Sequence, residues 1–569
     1  MCCRGRRQCV EDRTFMILGG AGLVGFQVAH RIATDLRPER IVLVSLYEEG
    51  VEQAVADLRA LFPESDTEFV GEWGDIFARE AFAQRSRGDL LEDEDAREGV
   101  FDDLLGPVDE AFERSRLAHL IDEHRPDVIV DAINTATAIS YQDVYTSARV
   151  AKRSVDRLQE DPSYPADEVA HDVEALILSQ AVPQLIRHVM ILDRAMRKVS
   201  TRLYLKIGTT GTGGMGLNVP YTHSEDRPSA KLMTKASVAF AHTGLLFLMA
   251  RTAGGPIVKE IKPAAMIGYA DIDYRTIYER GEPVRRYGAR VEPLETRLAL
   301  RVSPDEFERG PDLQLPVVGT GENGVFTKGE FEAITALRQM EFVTPEEVAQ
   351  ICLQEITGDN TGHDVIAAMD GSVVDPSYRA GVLREDALVK LRKLEEETGT
   401  HSVALGQLGP PELSKLLWEA ELLKLTYRTL PAVLAATAEE IATAATDLLV
   451  EHPDLRDTIT SLGLPIITKD GRSLIRGPRI RIPEVAGETV ISLSPEAIDR
   501  WAAKGWVDLR PANFVEWQRR FQLMRDARSG RAQRGSAGVV QTAYATENIT
   551  IGAVVSWVLI NELGGYRTK

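Results

Sequence analysis

The stretch TFMILGGAGLVGFQVAHRI, residues 14–32, joins an apolar run to an amphipathic one through four closely spaced glycines. The first five residues have the composition of a buried strand, and the residues after Gly22 repeat apolar positions three or four apart, as a helix does. Gly19, Gly22 and Gly25 stand at G-x-x-G-x-x-G spacing across that junction. Each missing side chain has a use there: a tight turn out of the strand, close approach of backbone N–H groups to a ligand, and close packing of helix on sheet. The N-terminus of such a helix also carries about half a positive charge. Together these features predict a pyrophosphate cradle for a dinucleotide, with Gly19, Gly22, Leu23, Val24 and Gly25 around the diphosphate.

Outward from this loop, short apolar runs alternate with helical periods. Strands are expected at 14–18, 40–46, 67–70, 127–133, 202–207 and 256–261, with helices at 24–35, 50–61, 117–124, 178–199 and 231–251. This alternation predicts an α/β fold, a Rossmann-type doubly wound parallel sheet spanning 14–268. Residues 1–13 read as a disordered leader, and the acidic insertion 77–116 reads as a solvated loop, because like charges resist packing. Residues 269–569 are expected to form a mainly helical C-terminal domain that covers the substrate site. Within it, TLPAVLAATAEEIATAATDLLVEH is Ala-rich at helical spacing, and ITIGAVVSWVLINELGG reads as a buried or interface helix.

A chain of 569 residues is long for one core, which fits a division into two domains. The formal net charge of -20 disfavours a nucleic-acid partner, and no apolar run is read as a bilayer span. Three of the four cysteines crowd the leader MCCRGRRQC, which leaves no disulfide framework and points to a reducing cytoplasm. No metal site is read from the spacing of His and Cys. A second glycine cluster, GTGGMG at 211–216, matches G-x-G-x-x-G literally but runs into Pro220 without a helical period, so it is read as a loop over a site.

The ordered series LGGAGLVG, GEWGDIF, PDVIVDAINTAT and LYLKIGTTGTGG resembles the extended short-chain dehydrogenase/reductase family, which includes NAD-dependent epimerases and dehydratases. The resemblance covers residues 14–265. It implies a cofactor of NAD or NADP, adenine contacts at Asp75 and Ile76, and a cofactor wall at Asn134, Thr135 and Ala136. The residue at the end of the second strand separates the two nucleotides, and here it is Ser45, followed by Glu48 and Glu49 without an arginine. That electrostatic setting leans towards NAD.

Catalysis in that family uses a hydroxyl after the fifth strand and a Tyr-x-x-x-Lys on the next helix. Thr209 and Thr210 fill the hydroxyl position and Lys235 the lysine position, but Lys231 stands where the tyrosine belongs. A second ammonium one helical turn away would depress the pKa of Lys231, and Tyr221 in the preceding loop is a substitute acid, with Tyr141 more distant. His223 is read as a surface loop residue. Two functions remain open. One is an oxidoreductase or epimerase/dehydratase-like enzyme acting on a hydroxyl or carbonyl small molecule; the other is a non-catalytic dinucleotide-binding scaffold or sensor. A homodimer or higher homo-oligomer is expected from the resemblance, with a small-molecule substrate and neither nucleic acid nor membrane as partner.

Overall fold

The structure, a computed structural model, describes residues 12–139, 144–208, 230–263, 268–279, 282–320, 325–336, 343–358, 378–406, 411–481, 489–529 and 546–562. The chain divides into two units. The first gathers residues 1–214, 229–268 and 342–380, and the second gathers 215–228, 269–341 and 381–569.

The first unit is built on six parallel strands: β1 (Thr14–Leu18), β2 (Arg40–Ser45), β3 (Glu68–Trp73), β4 (Val128–Asp131), β5 (Leu203–Ile207) and β6 (Ile257–Ile261). Their order is β3-β2-β1-β4-β5-β6, the doubly wound Rossmann arrangement, whose switch point lies between β1 and β4. Side chains alternate between two apolar faces. Phe15, Ile17, Leu43, Val130 and Leu205 pack on one side with helices α1 (Leu23–Asp35) and α2 (Glu48–Leu61). Met16, Leu18, Val44, Ile129 and Tyr204 pack on the other, with α6 (Arg116–His124), α10 (Ala181–Val199) and α11 (Ala230–Ala250). Burial on both faces explains why the central strands β1, β2, β4 and β5 read as near-continuous apolar runs, while the edge strands β3 and β6 are more polar.

The insertion expected as a solvated loop folds instead into α3 (Arg87–Glu92), α4 (Glu94–Leu105) and α5 (Val108–Arg114). Its acids are used in place. Asp93 caps α4 at the Ala96 N–H, Glu94 and Asp95 sit in that helix's first turn, and Asp103 pairs with both Arg79 and Arg114. Residues between β4 and β5 add α7 (Thr135–Ile139) and a helical pair, α8 (Val144–Glu160) and α9 (Ala166–Leu178). Of the expected leader 1–13, residues 1–11 lie outside the described residues and the last two are held in place: Asp12 pairs with Arg202, and the Arg13 N–H, like that of Thr14, donates to Asp127, at 2.8 and 2.9 Å.

The contiguous boundary at 268 also needs correction. Helix Pro345–Thr357 belongs to the first unit, where Val348, Ala349, Cys352 and Ile356 join the core of α1 and the sheet. Lys259 of β6 pairs with Glu355 at 2.6 Å, and Arg202 donates to the Ile356 carbonyl at 3.2 Å. Nothing local in this segment says which core receives it. A second correction concerns membrane spans. The window Met233–Ala250 of α11 is long and apolar enough to cross a bilayer; 28% of it is buried, with Val238, Ala239, Leu246 and Met249 in the sheet's own core.

The second unit is helical with small sheets, among them a four-stranded one that pairs Arg290–Pro293, Ser473–Arg476, Ile466–Ile467 and Val507–Asp508. Its core surrounds helix Pro411–Tyr427, nearly all of whose described side chains from Leu413 to Leu423 are buried. Trp418, Phe514, Trp517, Phe521 and Trp557 pack there. The C-terminal helix Ile551–Glu562 lies in this core, as its composition suggests.

Candidate functional site

Chain reversal at the end of β1 depends on Gly19, whose φ of +78° is a conformation L side chains rarely adopt. The Gly19 and Gly20 N–H groups both donate to the Val44 carbonyl, at 2.8 and 3.0 Å, tying the loop to β2. A Cβ on Gly25 would lie 2.1 Å from the Gly19 carbonyl oxygen, so helix and loop touch through backbone alone. Gly22 is the N-cap of α1 and makes no side-chain capping bond. The first-turn amides therefore have no side chain of the cap residue competing for them, which fits a diphosphate. Leu23 and Val24 are half-buried beside it.

The other predicted cofactor residues come to the same edge of the sheet. Ser45 ends β2, and its carbonyl accepts the Gly74 N–H at 2.9 Å. Asp75 follows, with its carboxylate taking the Phe77 N–H at 2.8 Å. Ile76 is 4% exposed and its side chain packs in the apolar core with Leu18 and Val44. Glu48 and Glu49 form the exposed first turn of α2. Asn134 is half-buried and Thr135 buried at the start of α7. A Cβ on Gly19 would come within 3.2 Å of both Ala132 C and Ile133 N, so the glycine loop lies against the β4–α7 turn.

Lys231 and Lys235 both fall on α11, four residues apart, and Lys235 is half-buried. Thr209, Thr210, Tyr221, Tyr141, His223 and the 211–216 cluster lie outside the described residues, as do the side chains of Lys231 and Ala136.

A row of charges that none of the sequence motifs marks lies immediately below this edge. Asp131, Lys206 and Glu260 are register partners on β4, β5 and β6, and alternation aims all three at the α10–α11 face. Lys206 Nζ donates to Asp131 Oδ1 at 2.9 Å, the Ile133 carbonyl at 2.6 Å and Thr135 Oγ1 at 3.0 Å. Asp131 Oδ2 accepts the Tyr204 hydroxyl at 2.6 Å, and Oδ1 accepts the Ile133 N–H at 2.9 Å. Burial opposes the Asp131 charge, but the Lys206 ammonium and the Tyr204 hydroxyl outweigh it and hold the carboxyl below its ordinary range. Burial first, and then Asp131, pushes the Tyr204 phenol well up.

Two histidines cover the row. Burial lowers His188 of α10 to about 4 and His242 of α11 to about 2, with the Lys206 charge adding to both effects, so each is neutral at pH 7. Glu260 accepts from Thr243 at 3.2 Å and from Lys262 at 2.8 Å, and a Cβ on Gly208 would meet its Oε1 at 2.2 Å. Glu260 and Lys262 thus flank the exit of β5, just before Thr209. One signal could have found these residues: VIVD, LYLKI and IVKEI each place a charge inside a strand of a sheet covered on both faces, where an uncharged residue is the norm.

Residues 286–563, about half of the chain, match the family model described as beta-methylindole-3-pyruvate reductase C-terminal domain. No curated protein matches the chain. Among solved structures, Pen from Bacillus thuringiensis is 12% identical at a TM-score of 0.21, covering 44% of this chain and 49% of that one. The chain thus spans about half the length of Pen. A short-chain dehydrogenase/reductase from Serratia marcescens is 12% identical at a TM-score of 0.28, over 62% of this chain and 93% of its own. YwfH, an NADPH-dependent reductase involved in bacilysin biosynthesis, is 13% identical at a TM-score of 0.21, over 42% and 66%. At these scores the fold rests on the strand order and not on the likenesses.

Proposed function

We propose that this chain is a nicotinamide-nucleotide-dependent oxidoreductase acting on a small carbonyl or hydroxyl compound, with the dinucleotide on the first unit. The observation that carries this reading is the glycine cradle. Gly19 and Gly25 admit no side chain, α1 opens at Gly22 without a side-chain cap, and the loop lies at the switch point of a 3-2-1-4-5-6 sheet.

A bound nicotinamide supplies or accepts a hydride at the substrate carbon. The chain's own part is to bind, orient and move the proton. The α1 amides would hold the diphosphate, Ser45 and Asp75 the adenosine half, Asn134 to Ala136 the inner wall, and Lys235 the nicotinamide ribose. Thr209 or Thr210 would donate a hydrogen bond to the reacting oxygen, and Lys231 or Tyr221 would carry the proton. The acidic first turn of α2 repels a 2′-phosphate, which supports NAD over NADP. The name of the family model matched by residues 286–563 supports a 2-oxo acid with an aromatic side chain as substrate, reduced to the 2-hydroxy acid.

One observation favours a second reading, a nucleotide-binding scaffold: Lys231 replaces the tyrosine that the resemblance requires. Calorimetry with NAD(H) and NADP(H), followed by absorbance at 340 nm with an indole-3-pyruvate, separates the two. Affinity with turnover supports the enzyme, affinity without turnover on any carbonyl supports the scaffold, and a folded protein with no affinity for either nucleotide overturns both.

A further inference from the structure

We propose that Lys206 is a positioning residue for the dinucleotide pocket, setting from beneath the sheet edge the shape of the turn Ile133–Thr135 that faces the bound nucleotide. The inference rests on the oxidoreductase reading for the identity of the ligand. The geometry stands on its own.

All three N–H groups of the Lys206 ammonium are used, and two go to the turn: the Ile133 carbonyl at 2.6 Å and the Thr135 hydroxyl at 3.0 Å. The third goes to Asp131, whose carboxylate in turn takes the Ile133 N–H at 2.9 Å. One ion pair therefore holds both peptide groups of Ile133. Rotation of either peptide plane would break a charge-assisted bond, so Asn134, one residue on, leaves the strand in a single direction. The turn has no slack on its other side, because the Ala132–Ile133 peptide lies against Gly19, and the Ala132 N–H donates to Leu18 at 2.8 Å.

The side chains of Lys206 and Asp131 are 2% and 1% exposed. Desolvating such a pair costs more than filling the same space with apolar groups, so stability alone does not account for it. What the pair supplies, and a methionine would not, is direction for a backbone segment that touches the cradle. Thr135 is itself 2% exposed, so its hydroxyl serves as a receiver of the ammonium and as the link to α7.

Three variants of the full-length protein test this: Lys206→Met, Asp131→Asn/Lys206→Met, and Thr135→Val. Each is measured for urea stability, for NAD(P)H affinity and, without nucleotide, for amide hydrogen exchange at residues 133–136. Lys206→Met strands the Asp131 carboxylate, so it should lose stability as well as affinity. The double variant neutralises both partners and should recover most of the stability while affinity stays about tenfold or more below wild type. Thr135→Val, the mildest change, should weaken binding about threefold with the fold intact. In all three, exchange at 133–136 should accelerate before any nucleotide is added. A double variant that binds as tightly as wild type, or turn amides that exchange at the wild-type rate, would overturn the proposal. Wild-type protein that binds no nicotinamide nucleotide would sink the oxidoreductase reading and leave the exchange result to decide whether Lys206 holds the turn.

Discussion

Each unit buries a lysine–carboxylate pair, and the two are put to different uses. In the first unit, Lys206 and Asp131 spend their hydrogen bonds on the backbone of a turn at the edge of the sheet. In the second, Lys415 lies 3.1 Å from Glu419 one turn along helix Pro411–Tyr427. Glu419, wholly buried, takes the Asp508 N–H at 2.9 Å and the Trp517 indole N–H at 2.8 Å. That pair stitches a central helix to a strand and to a neighbouring helix. The contrast is instructive because burial alone would rank the two together. The destination of the hydrogen bonds separates a charge that directs a backbone turn at the sheet edge from one that joins packed elements.

The largest effect should come from breaking the second pair. Glu419→Ala leaves a buried ammonium, an indole N–H and a backbone N–H without their acceptor, and about 3–5 kcal/mol of stability should be lost. Urea unfolding followed by tryptophan fluorescence reads it directly, since Trp418 and Trp517 lie in that core. Nucleotide affinity at temperatures where the variant remains folded should stay at the wild-type level. A large loss of affinity instead would erase the distinction between the two pairs.

A matched pair of glycines sharpens it. A Cβ at Gly25 would lie 2.1 Å from the Gly19 carbonyl oxygen, and one at Gly329 in the second unit 2.2 Å from that of Val403. Gly25→Ala should weaken nucleotide binding about 100-fold, roughly 3 kcal/mol. Gly329→Ala should cost about 1–3 kcal/mol of stability as an overpacked contact and leave the affinity unchanged. Calorimetric titration of both proteins, with their urea midpoints, gives the comparison.

Acid should also act on the two units in different windows. His188 titrates near 4 in the folded chain because burial disfavours its charge, below the ordinary 6.5, so the unfolded chain takes up the proton first. Its contribution is complete above pH 6.5 and is lost as the pH falls towards 4, the loss reaching about 2 kcal/mol by pH 5. Glu421 in the second unit is disfavoured by burial but held at about 2 by His401 and Lys424, against an ordinary 4.5. Its contribution is complete above pH 4.5 and is lost as the pH falls towards 2. Burial raises Glu330 and Glu332 and gives them the opposite sign, so the slope must be taken as wild type minus variant. At pH 5 the difference against His188→Leu should already have shrunk, while that against Glu421→Gln should be intact. Coincident bends in the two difference curves would contradict the assignment.

How far the sequence could be read follows from the range over which each feature is encoded. The strands and the helices between them are local patterns of apolar spacing, so β1 is found at the expected residues and α11 within one residue of them, and their alternation is what implied a doubly wound sheet. The glycine cradle is local too. The helices of the acidic insertion were missed because its acids are paired instead of solvated: Asp103 meets Arg79 and Arg114 of the same insertion, and Arg187 of the distant α10 binds the Leu104 and Gly106 carbonyls. The charged row was missed because Asp131, Lys206 and Glu260 lie far apart in the chain and become neighbours only through strand register. In β4 and β5 a single charge looks like an exception to an apolar run, and β6 carries Lys259 beside Glu260; register is what brings Asp131, Lys206 and Glu260 into one row.

The smallest expected effect tests the division of the chain. Helix Pro345–Thr357 starts at Thr344, whose hydroxyl accepts the Glu347 N–H while Glu347 returns a bond to the Thr344 N–H, at 3.3 and 2.8 Å. Thr344→Ala removes half of this capping box and should cost about 1 kcal/mol. The loss should surface where the helix packs, as faster hydrogen exchange in α1, whose Val28, Ala29 and Ile32 share a core with Val348, Ala349 and Cys352. Exchange in helix Pro411–Tyr427 should be unaffected, because that helix lies in the other core. Acceleration confined to the second unit would return residues 343–358 to it and restore a boundary near 268, whereas acceleration in α1 shows that the first unit draws part of its stability from a segment some eighty residues past its last strand.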